Sequence, residues 1–342
     1  ANPMLIGGDF DTLATTIYLQ VTGSYDSTGA AAMSVILLSL TLILFFIQKY
    51  YLEKKTTATL TGKASRVRMP ITDKSVTVPL TVFCTVVAAF VVLMYVMIPF
   101  GALFKLWGRD YSLSLKWFDY LFKYSGFKAF KDSFVLSIIA APITALMSMV
   151  IAYLVVKKKF KSKAFIEFTS MLAMAVPGTV LGIGFIRGYA NGIFQTGVLK
   201  GIYGSAAILI IVFIVRSLPV GTRSGISALR QIDKSIEESA YDLGAGSGKV
   251  FTSITLPLIK PMMVTSLSLN CIGSLKFFDL VYNMTQGGPN HRTEVLATEL
   301  YAEGFNYFKY GYASAISVVL LVMCLIVTLL VKKVIKVETY EG

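Results

Sequence analysis

A glycine-rich stretch from Gly244 to Lys249 (GAGSGK) has residue types that could cradle a nucleotide phosphate. A phosphate loop requires G-x4-G-K-[ST], because its backbone amides hold the phosphates and its hydroxyl holds magnesium. This chain has Leu243 before the stretch and Val250 after it, so the pattern fails at both ends. The sequence therefore predicts no ATP hydrolysis by this route. It also lacks a zinc-protease, catalytic-triad or paired-carboxylate pattern.

Metal-binding and thiol chemistry lack a suitable pattern as well. His291 is the only histidine in the chain, which excludes a cage of histidine ligands. Cys84, Cys271 and Cys324 lie in apolar segments, far from the short spacing that a zinc site needs. We therefore expect no metal site, catalytic thiol or disulfide.

Polar and ionisable side chains interrupt one apolar segment, predicted as a helix over 258–283. They are Asn270, Ser274, Lys276 and Asp279. A charged group inside a membrane costs several kcal/mol and is a functional candidate by default. Lys276 and Asp279 lie three residues apart and could pair on one helix face. Two interpretations remain open: a self-neutralised pair near the outer interface, and a gate or transient substrate contact along a pathway.

The longest polar stretch of the second half has the signals of a helical hairpin. Ser235 and Glu238 fit an S-x-x-E capping box, which predicts a helix over 236–243. Gly244 follows, and glycine tolerates the positive φ that a helix C-terminus often needs. A second short helix is predicted over 248–255. The stretch therefore indicates helix, glycine turn and helix, lying across a membrane face between two apolar segments.

This hairpin resembles the EAA loop of ABC importer permeases, whose pattern is E-A-A-x3-G-x9-I-x-L-P. The matching positions are Glu238, Ser239, Ala240, Gly244, Ile254, Leu256 and Pro257. Every spacing agrees, and Ser239 in place of alanine is the one departure. The resemblance implies that the loop is a coupling helix, which docks into a cleft on an ATP-hydrolysing partner subunit. The alternative is an ordinary amphipathic hairpin between two membrane helices.

Composition indicates a polytopic membrane protein. The 342 residues are 55% hydrophobic, with a mean hydropathy of +0.68, whereas soluble domains are roughly 45–50% apolar. The net charge of +13 does not point to nucleic acid. Basic residues fall largely in loops that alternate with apolar runs, as the positive-inside bias predicts. We therefore expect a lipid membrane, and no nucleic acid, as the surroundings of the chain.

Apolar runs predict about seven membrane helices in an all-α transmembrane bundle. The predicted spans are 30–48, 78–104, 132–156, 164–189, 203–220, 258–283 and 311–331. The basic run Lys157 to Lys163 marks the cytoplasmic side, and topology explains it without a lipid-binding patch. Pro177-Gly178 should kink the fourth span. Such a break either lines a cavity or allows close helix packing.

An internal repeat relates the two ends of the chain. Residues 13–47 align without gaps onto 296–330, an offset of 283 residues with about 12 of 35 positions identical. Residues 1–52 are therefore interpreted as the last external loop and helix of a preceding copy. A cytoplasmic linker over 53–77 and a permease domain over 78–336 follow. The predicted coupling loop occupies 224–257 of that domain.

The repeat indicates which group of ABC importer permeases the chain resembles. The chain is similar to the C-terminal part of a fused double permease of the ferric-iron or aminoethylphosphonate type. This implies a type I importer permease in the bacterial inner membrane, paired with a second permease module that is fused or separate. It also implies two ABC ATPase subunits and an extracytoplasmic substrate-binding protein. ATP and magnesium would be held by the ATPase, so we expect no cofactor and no enzymatic activity in this chain.

The resemblance favours ferric iron as the transported substrate. Phosphonate, polyamine and sugar phosphate remain alternatives. A secondary transporter driven by an ion gradient is the alternative from a different class, and it would need no ATPase partner. Co-purification of an ATPase separates the two classes.

Overall fold

The computed structural model describes residues 11–24, 26–48, 73–190, 202, 205–288 and 290–335. The long helices are α2 (Ser27–Phe46), α3 (Lys74–Leu103), α5 (Ser125–Lys157), α8 (Ala206–Gln231), α11 (Leu256–Leu275) and α14 (Tyr310–Val334). The shorter elements are α1 (Leu13–Thr22), β1 (Phe104–Leu106), β2 (Asp110–Leu113), α4 (Lys116–Lys123), α6 (Lys163–Ala175), α7 (Gly178–Ala190), α9 (Lys234–Asp242), α10 (Ser247–Val250), α12 (Asp279–Thr285) and α13 (Leu296–Tyr301). Two π-helical turns, Phe251–Thr255 and Ala302–Asn306, directly follow α10 and α13.

The apolar runs form membrane-length helices. In the described part of the chain, six helices are long and apolar enough to cross a membrane. The pair α6 and α7 would make a seventh span, bent by 110° at its break. This confirms the prediction of an all-α polytopic bundle with about seven spans. The predicted kink in the fourth span is a complete break, at Val176 and Pro177.

Two predicted helix ends are wrong because packing overrides the local signals. Helix α8 continues through Pro219 to Gln231 instead of ending near residue 220. Its last turns stay helical because Ile226 and Leu229 are buried against α5. The predicted coupling loop at 224–257 therefore begins inside a helix, and the polar hairpin itself starts only after Gln231.

The sixth predicted span is also shorter than expected. Helix α11 ends at Leu275, and α12 begins at Asp279, whereas one helix was predicted over 258–283. Aromatic packing explains the break. Phe277 lies 4.8 Å from Phe213 between ring centroids, and Phe278 lies 4.9 Å from Tyr301. Phe277 and Phe278 both belong to the three residues that separate α11 from α12.

Other elements of the structure also differ from the predicted boundaries, because of local interactions. Helix α3 begins at Lys74, inside the predicted linker, because the Asp73 carboxylate accepts a 2.9 Å hydrogen bond from the Ser75 amide and caps the helix. The rest of that linker, 53–72, lies outside the described residues. After α3, strands β1 and β2 form a small antiparallel hairpin that the all-α prediction did not include.

The repeat is visible in the helix boundaries. Helices α1 and α13 begin at Leu13 and Leu296, and α2 and α14 begin at Ser27 and Tyr310. Both pairs of starting positions differ by 283 residues, the offset found in the sequence. The aligned segments therefore share their helix starts as well as about 12 of 35 residues. Residues 1–10, 25 and 49–52 of the predicted preceding copy lie outside the described residues.

Helices α5, α8 and α11 form the centre of the bundle. A buried cluster that includes Met149, Ala152 and Ile259 joins them near the end of α5 that carries Lys157. Small residues allow the close approach of α5 and α8. A Cβ atom at Gly225 would lie 2.7 Å from the Cβ of Ala152, closer than real Cβ contacts come.

We predict that Gly225→Val destabilises the bundle by about 1–3 kcal/mol, because the added side chain pushes α5 away from α8. Gly184→Val is the matched control, since Gly184 is exposed on a helix and a Cβ there has no neighbour within 4 Å. Thermal unfolding of the purified protein in detergent measures both. Equal unfolding temperatures for the two variants would contradict the packing argument.

Candidate functional site

The polar hairpin after α8 is capped by Asp233, a residue outside the S-x-x-E pattern. The Asp233 carboxylate accepts a 3.0 Å hydrogen bond from the Ser235 amide, which lowers the pKa of Asp233 and begins α9 at Lys234. The predicted capping box of Ser235 and Glu238 is therefore wrong. Aspartate is a strong N-cap residue, and its place two positions earlier adds two residues to the start of the predicted helix.

The glycine turn agrees with the sequence prediction. Gly244 has a φ of +82°, the left-handed region that favours glycine. Its amide donates to the Tyr241 carbonyl at 2.9 Å, and the Ala245 amide donates to the Ala240 carbonyl at 3.0 Å. These bonds satisfy the last carbonyls of α9 and fix the direction of the chain toward α10.

The second half of the hairpin is continuous with a membrane span. Helix α10 ends at Val250 rather than near residue 255, and a π-helical turn leads directly into α11. Pro257 stands in the first turn of α11, directly after the π-helical turn. The three C-terminal positions of the EAA pattern, Ile254, Leu256 and Pro257, therefore lie in one helical rod from Ser247 to Leu275.

A carboxylate that the motif does not include fastens the hairpin to the bundle. Glu237 accepts a 2.8 Å ion-pair hydrogen bond from the Lys157 ammonium at the end of α5. Its other oxygen accepts a 3.0 Å hydrogen bond from the Thr255 hydroxyl. The Lys157 and Glu237 side chains are only 16% and 14% exposed. The sequence offered one signal, the lysine run that ends α5, but its partner could not be read from spacing.

The EAA-motif residues in the first half of the hairpin lie mostly on the side away from the Glu237 anchor. Glu238, Ser239 and Gly244 are exposed, whereas Ala240 is half-buried. Leu243, just before the turn, is 89% exposed. Tyr241 is also exposed. The hairpin thus presents a polar helix face and an apolar tip to its surroundings, while Glu237 holds its inner face.

The four predicted pathway residues do not form one site. Asn270 is 2% exposed and borders a cavity of about 230 Å³ that Arg216 and Phe277 also line. Ser274 is buried, and its hydroxyl, like the Asn270 amide nitrogen, has no hydrogen-bond partner in the described part of the chain. Lys276 borders a separate cavity of about 450 Å³ between α3, α11 and α14.

Asp279 lies at the break between α6 and α7 and does not pair with Lys276. A Cβ at Gly178, the first residue of α7, would overlap its carboxylate. The predicted Lys276–Asp279 pair is wrong because Lys276 ends one helix and Asp279 begins the next.

Arg216 holds the opposite end of the same break. Its guanidinium donates to the Val176 carbonyl at 3.0 Å and also to the Ala173 carbonyl, both at the C-terminus of α6. A cation at a helix C-terminus and an anion at a helix N-terminus both complement the helix dipoles. The break is therefore stabilised by Arg216 on one side and Asp279 on the other.

The profile of a family described as "Binding-protein-dependent transport system inner membrane component" matches residues 144–336. The ferric transport system permease protein FbpB of Actinobacillus pleuropneumoniae is 29% identical over 334 residues, covering 96% of this chain and 47% of that protein. A Haemophilus influenzae relative named as a ferric transport permease is 34% identical over 275 residues, covering 78% of this chain and 42% of the relative.

Solved structures share the fold. A bacterial alginate ABC transporter, crystallised with an alginate-bound periplasmic protein, contains a chain that aligns with a TM-score of 0.60 at 19% identity. The alignment covers 78% of this chain and 96% of that one. The present chain spans less than half the length of the two ferric transport relatives.

We predict that Glu237→Gln loosens the hairpin, because Lys157 loses its charged partner in a mostly buried position. The opening free energy of α9 should fall by about 1–3 kcal/mol. Amide hydrogen exchange across residues 234–242 measures the change. Glu238→Gln, one residue away on the exposed face, is the matched control and should leave exchange unaltered. Identical amide hydrogen exchange in the two variants would contradict the anchoring role of Glu237.

Proposed function

Because the chain belongs to the family of binding-protein-dependent transport inner membrane components, we propose that it is the C-terminal permease module of an ATP-driven importer. The hairpin of α9 and α10 carries this proposal. It combines an exposed helix face, a fixed glycine turn and a direct helical connection into a membrane span. These are the features that a mechanical link to an ATPase needs.

The hairpin can transmit force because it is held at two places. Glu237 ties α9 to the end of α5, and the π-turn makes α10 continuous with α11. A displacement of the hairpin would therefore move the cytoplasmic ends of two spans together. Shifting a gate from 1:99 to 99:1 requires about 5.5 kcal/mol. Nucleotide-driven closure of two partner ATPase subunits would supply this energy.

The exposed tip would enter a cleft on one of the two ATPase subunits. Leu243 and Tyr241 supply apolar contact, while Glu238 and Ser239 supply polar contact on the adjoining face. A large apolar side chain that is 89% exposed usually marks a contact surface when polar groups surround it. ATP and magnesium would be bound by those subunits, so this chain would contribute no catalytic group.

A second permease module would precede this one. The shared helix starts of the repeat support the interpretation of α1 and α2 as the end of another copy. The relatives' greater length supports it as well. Two related modules around a common axis would place a transport pathway between them. An extracytoplasmic binding protein would deliver the substrate to this pair in the bacterial inner membrane.

Ferric iron is the substrate that the named relatives favour. One structural feature supports a different candidate. Arg216 and Asn270 both line the cavity, and the Asn270 amide nitrogen is buried without a hydrogen-bond partner in the described part of the chain. Hydrogen-bond donors and positive charge suit an oxyanion such as a phosphonate, or iron carried with anionic ligands, better than a bare cation.

We predict that Gly244→Asp weakens coupling to the ATPase. A non-glycine residue at a φ of +82° strains the turn by about 1–2 kcal/mol, and the added carboxylate changes the docking surface. Co-purification of the ATPase and substrate uptake by cells measure the effect. Gly246→Asp is the matched control, because Gly246 has a φ of −69° at the N-cap of α10, where aspartate is favourable. Normal co-purification and uptake in Gly244→Asp would contradict the coupling role.

The substrate is tested with the assembled transporter in proteoliposomes. We expect its ATPase activity to rise when the cognate binding protein is added with bound ferric iron, and to stay basal with the empty protein. Stimulation by a phosphonate-loaded or polyamine-loaded form alone would keep the importer and replace the substrate. A purified protein without any ATPase partner, whose uptake follows an ion gradient, would favour a secondary transporter.

A further inference from the structure

A groove of about 510 Å³ opens at the cytoplasmic end of the bundle, between the end of α5 and the hairpin. Its charged lining is mostly basic. The basic residues are Lys157, Lys158, Lys159, Lys163, Arg230 and Lys234, and the two acidic ones are Glu237 and Glu238. This surface is named the basic groove. The importer mechanism proposed above uses Lys157, Glu237, Glu238 and Tyr241 from this lining, and it makes no use of the other five basic residues.

The charges of the basic groove do not balance within the described chain. Lys157 and Glu237 satisfy each other at 2.8 Å. The remaining five basic residues face one carboxylate, Glu238, and no ion pair within 4 Å joins any of them to a described acidic residue. Lys158 lies 6.0 Å from the centre of the Tyr153 ring, which is a weak contact for a cation. A bound anion would relieve the repulsion among these groups.

The position of the basic groove in the fold and the apolar part of its lining indicate the chemical class of the anion. Three membrane-length helices reach the basic groove: α5 ends there at Lys157, α8 ends at Gln231, and the helical rod of α10 and α11 begins at Ser247. Apolar side chains, among them Val156 and Phe251, line the wall beside the basic groups. An amphipathic site at the end of membrane spans fits a ligand with a charged head and an apolar body.

We propose that the basic groove binds the phosphate-bearing headgroup of an anionic phospholipid from the cytoplasmic leaflet. The phosphate would lie among the Lys158, Lys159 and Arg230 side chains, with the glycerol and upper acyl chain against the apolar wall. Lys234 and Glu237 belong to α9, so the lipid would connect the hairpin to the end of α5. An effect of this lipid on transport rests on the coupling role proposed for the hairpin, whereas binding of the lipid to the basic groove does not.

The test uses the assembled transporter in nanodiscs of phosphatidylcholine that contain a minor fraction of phosphatidylglycerol with the same acyl chains. Native mass spectrometry counts the phosphatidylglycerol molecules that stay bound after delipidation. We expect wild type to retain the lipid, and Lys158→Gln with Arg230→Gln to bind it about 30-fold more weakly. The charge-conserving variant Lys158→Arg with Arg230→Lys should retain it and shows that loss is not misfolding.

The matched control is Lys332→Gln with Lys333→Gln, which removes two positive charges from the end of α14, outside the basic groove. It should retain phosphatidylglycerol as wild type does. Equal retention by the groove variant would overturn the proposal. Displacement of the lipid by excess inorganic phosphate would also overturn it. Loss of ATPase coupling with intact lipid retention would instead count against the function proposed above.

Discussion

The Glu237 carboxylate joins three parts of the chain that sequence distance keeps apart. Its two oxygens accept hydrogen bonds from Lys157 at the end of α5 and from Thr255 in the π-turn, while the residue itself lies on α9. A charged pair at this depth is stable only when both groups are paired, because either one alone would bear the desolvation cost. The hairpin therefore keeps a fixed position relative to the bundle, and its exposed face is presented in one orientation.

The break between α6 and α7 is the second place where charge decides the architecture. Unpaired backbone carbonyls in an apolar environment cost several kcal/mol each, so a broken helix needs donors for its open end. Arg216 supplies them from α8, and Asp279 lies at the opposite end from α12. Only residues 276–278 separate α12 from the rod that begins at the hairpin. The hairpin is thus connected to Asp279, beside the break between α6 and α7, through the rod and a link of three residues.

These two features show what the sequence could and could not predict. Periodicity and charge bias predicted the spans, and spacing predicted the positive φ at Gly244, because both signals are local. The pairing of Lys276 with Asp279 failed because it assumed an unbroken helix, and aromatic packing of Phe277 and Phe278 broke that helix. Glu237 was overlooked because its partners lie 80 and 18 residues away, a separation that no motif encodes.

The two repeated segments meet at one further long-range contact. Tyr18 and Tyr301 occupy equivalent positions of the two copies, and their rings lie 5.6 and 4.8 Å from that of Tyr282. One copy thus reaches Tyr282 from within the module, and the other reaches it from the N-terminal segment. Aromatic pairs at such distances add about 0.5–1.5 kcal/mol beyond simple burial. Tyr282 lies on α12, the helix that carries Asp279, so contact between the copies and support of the broken span meet on one short element.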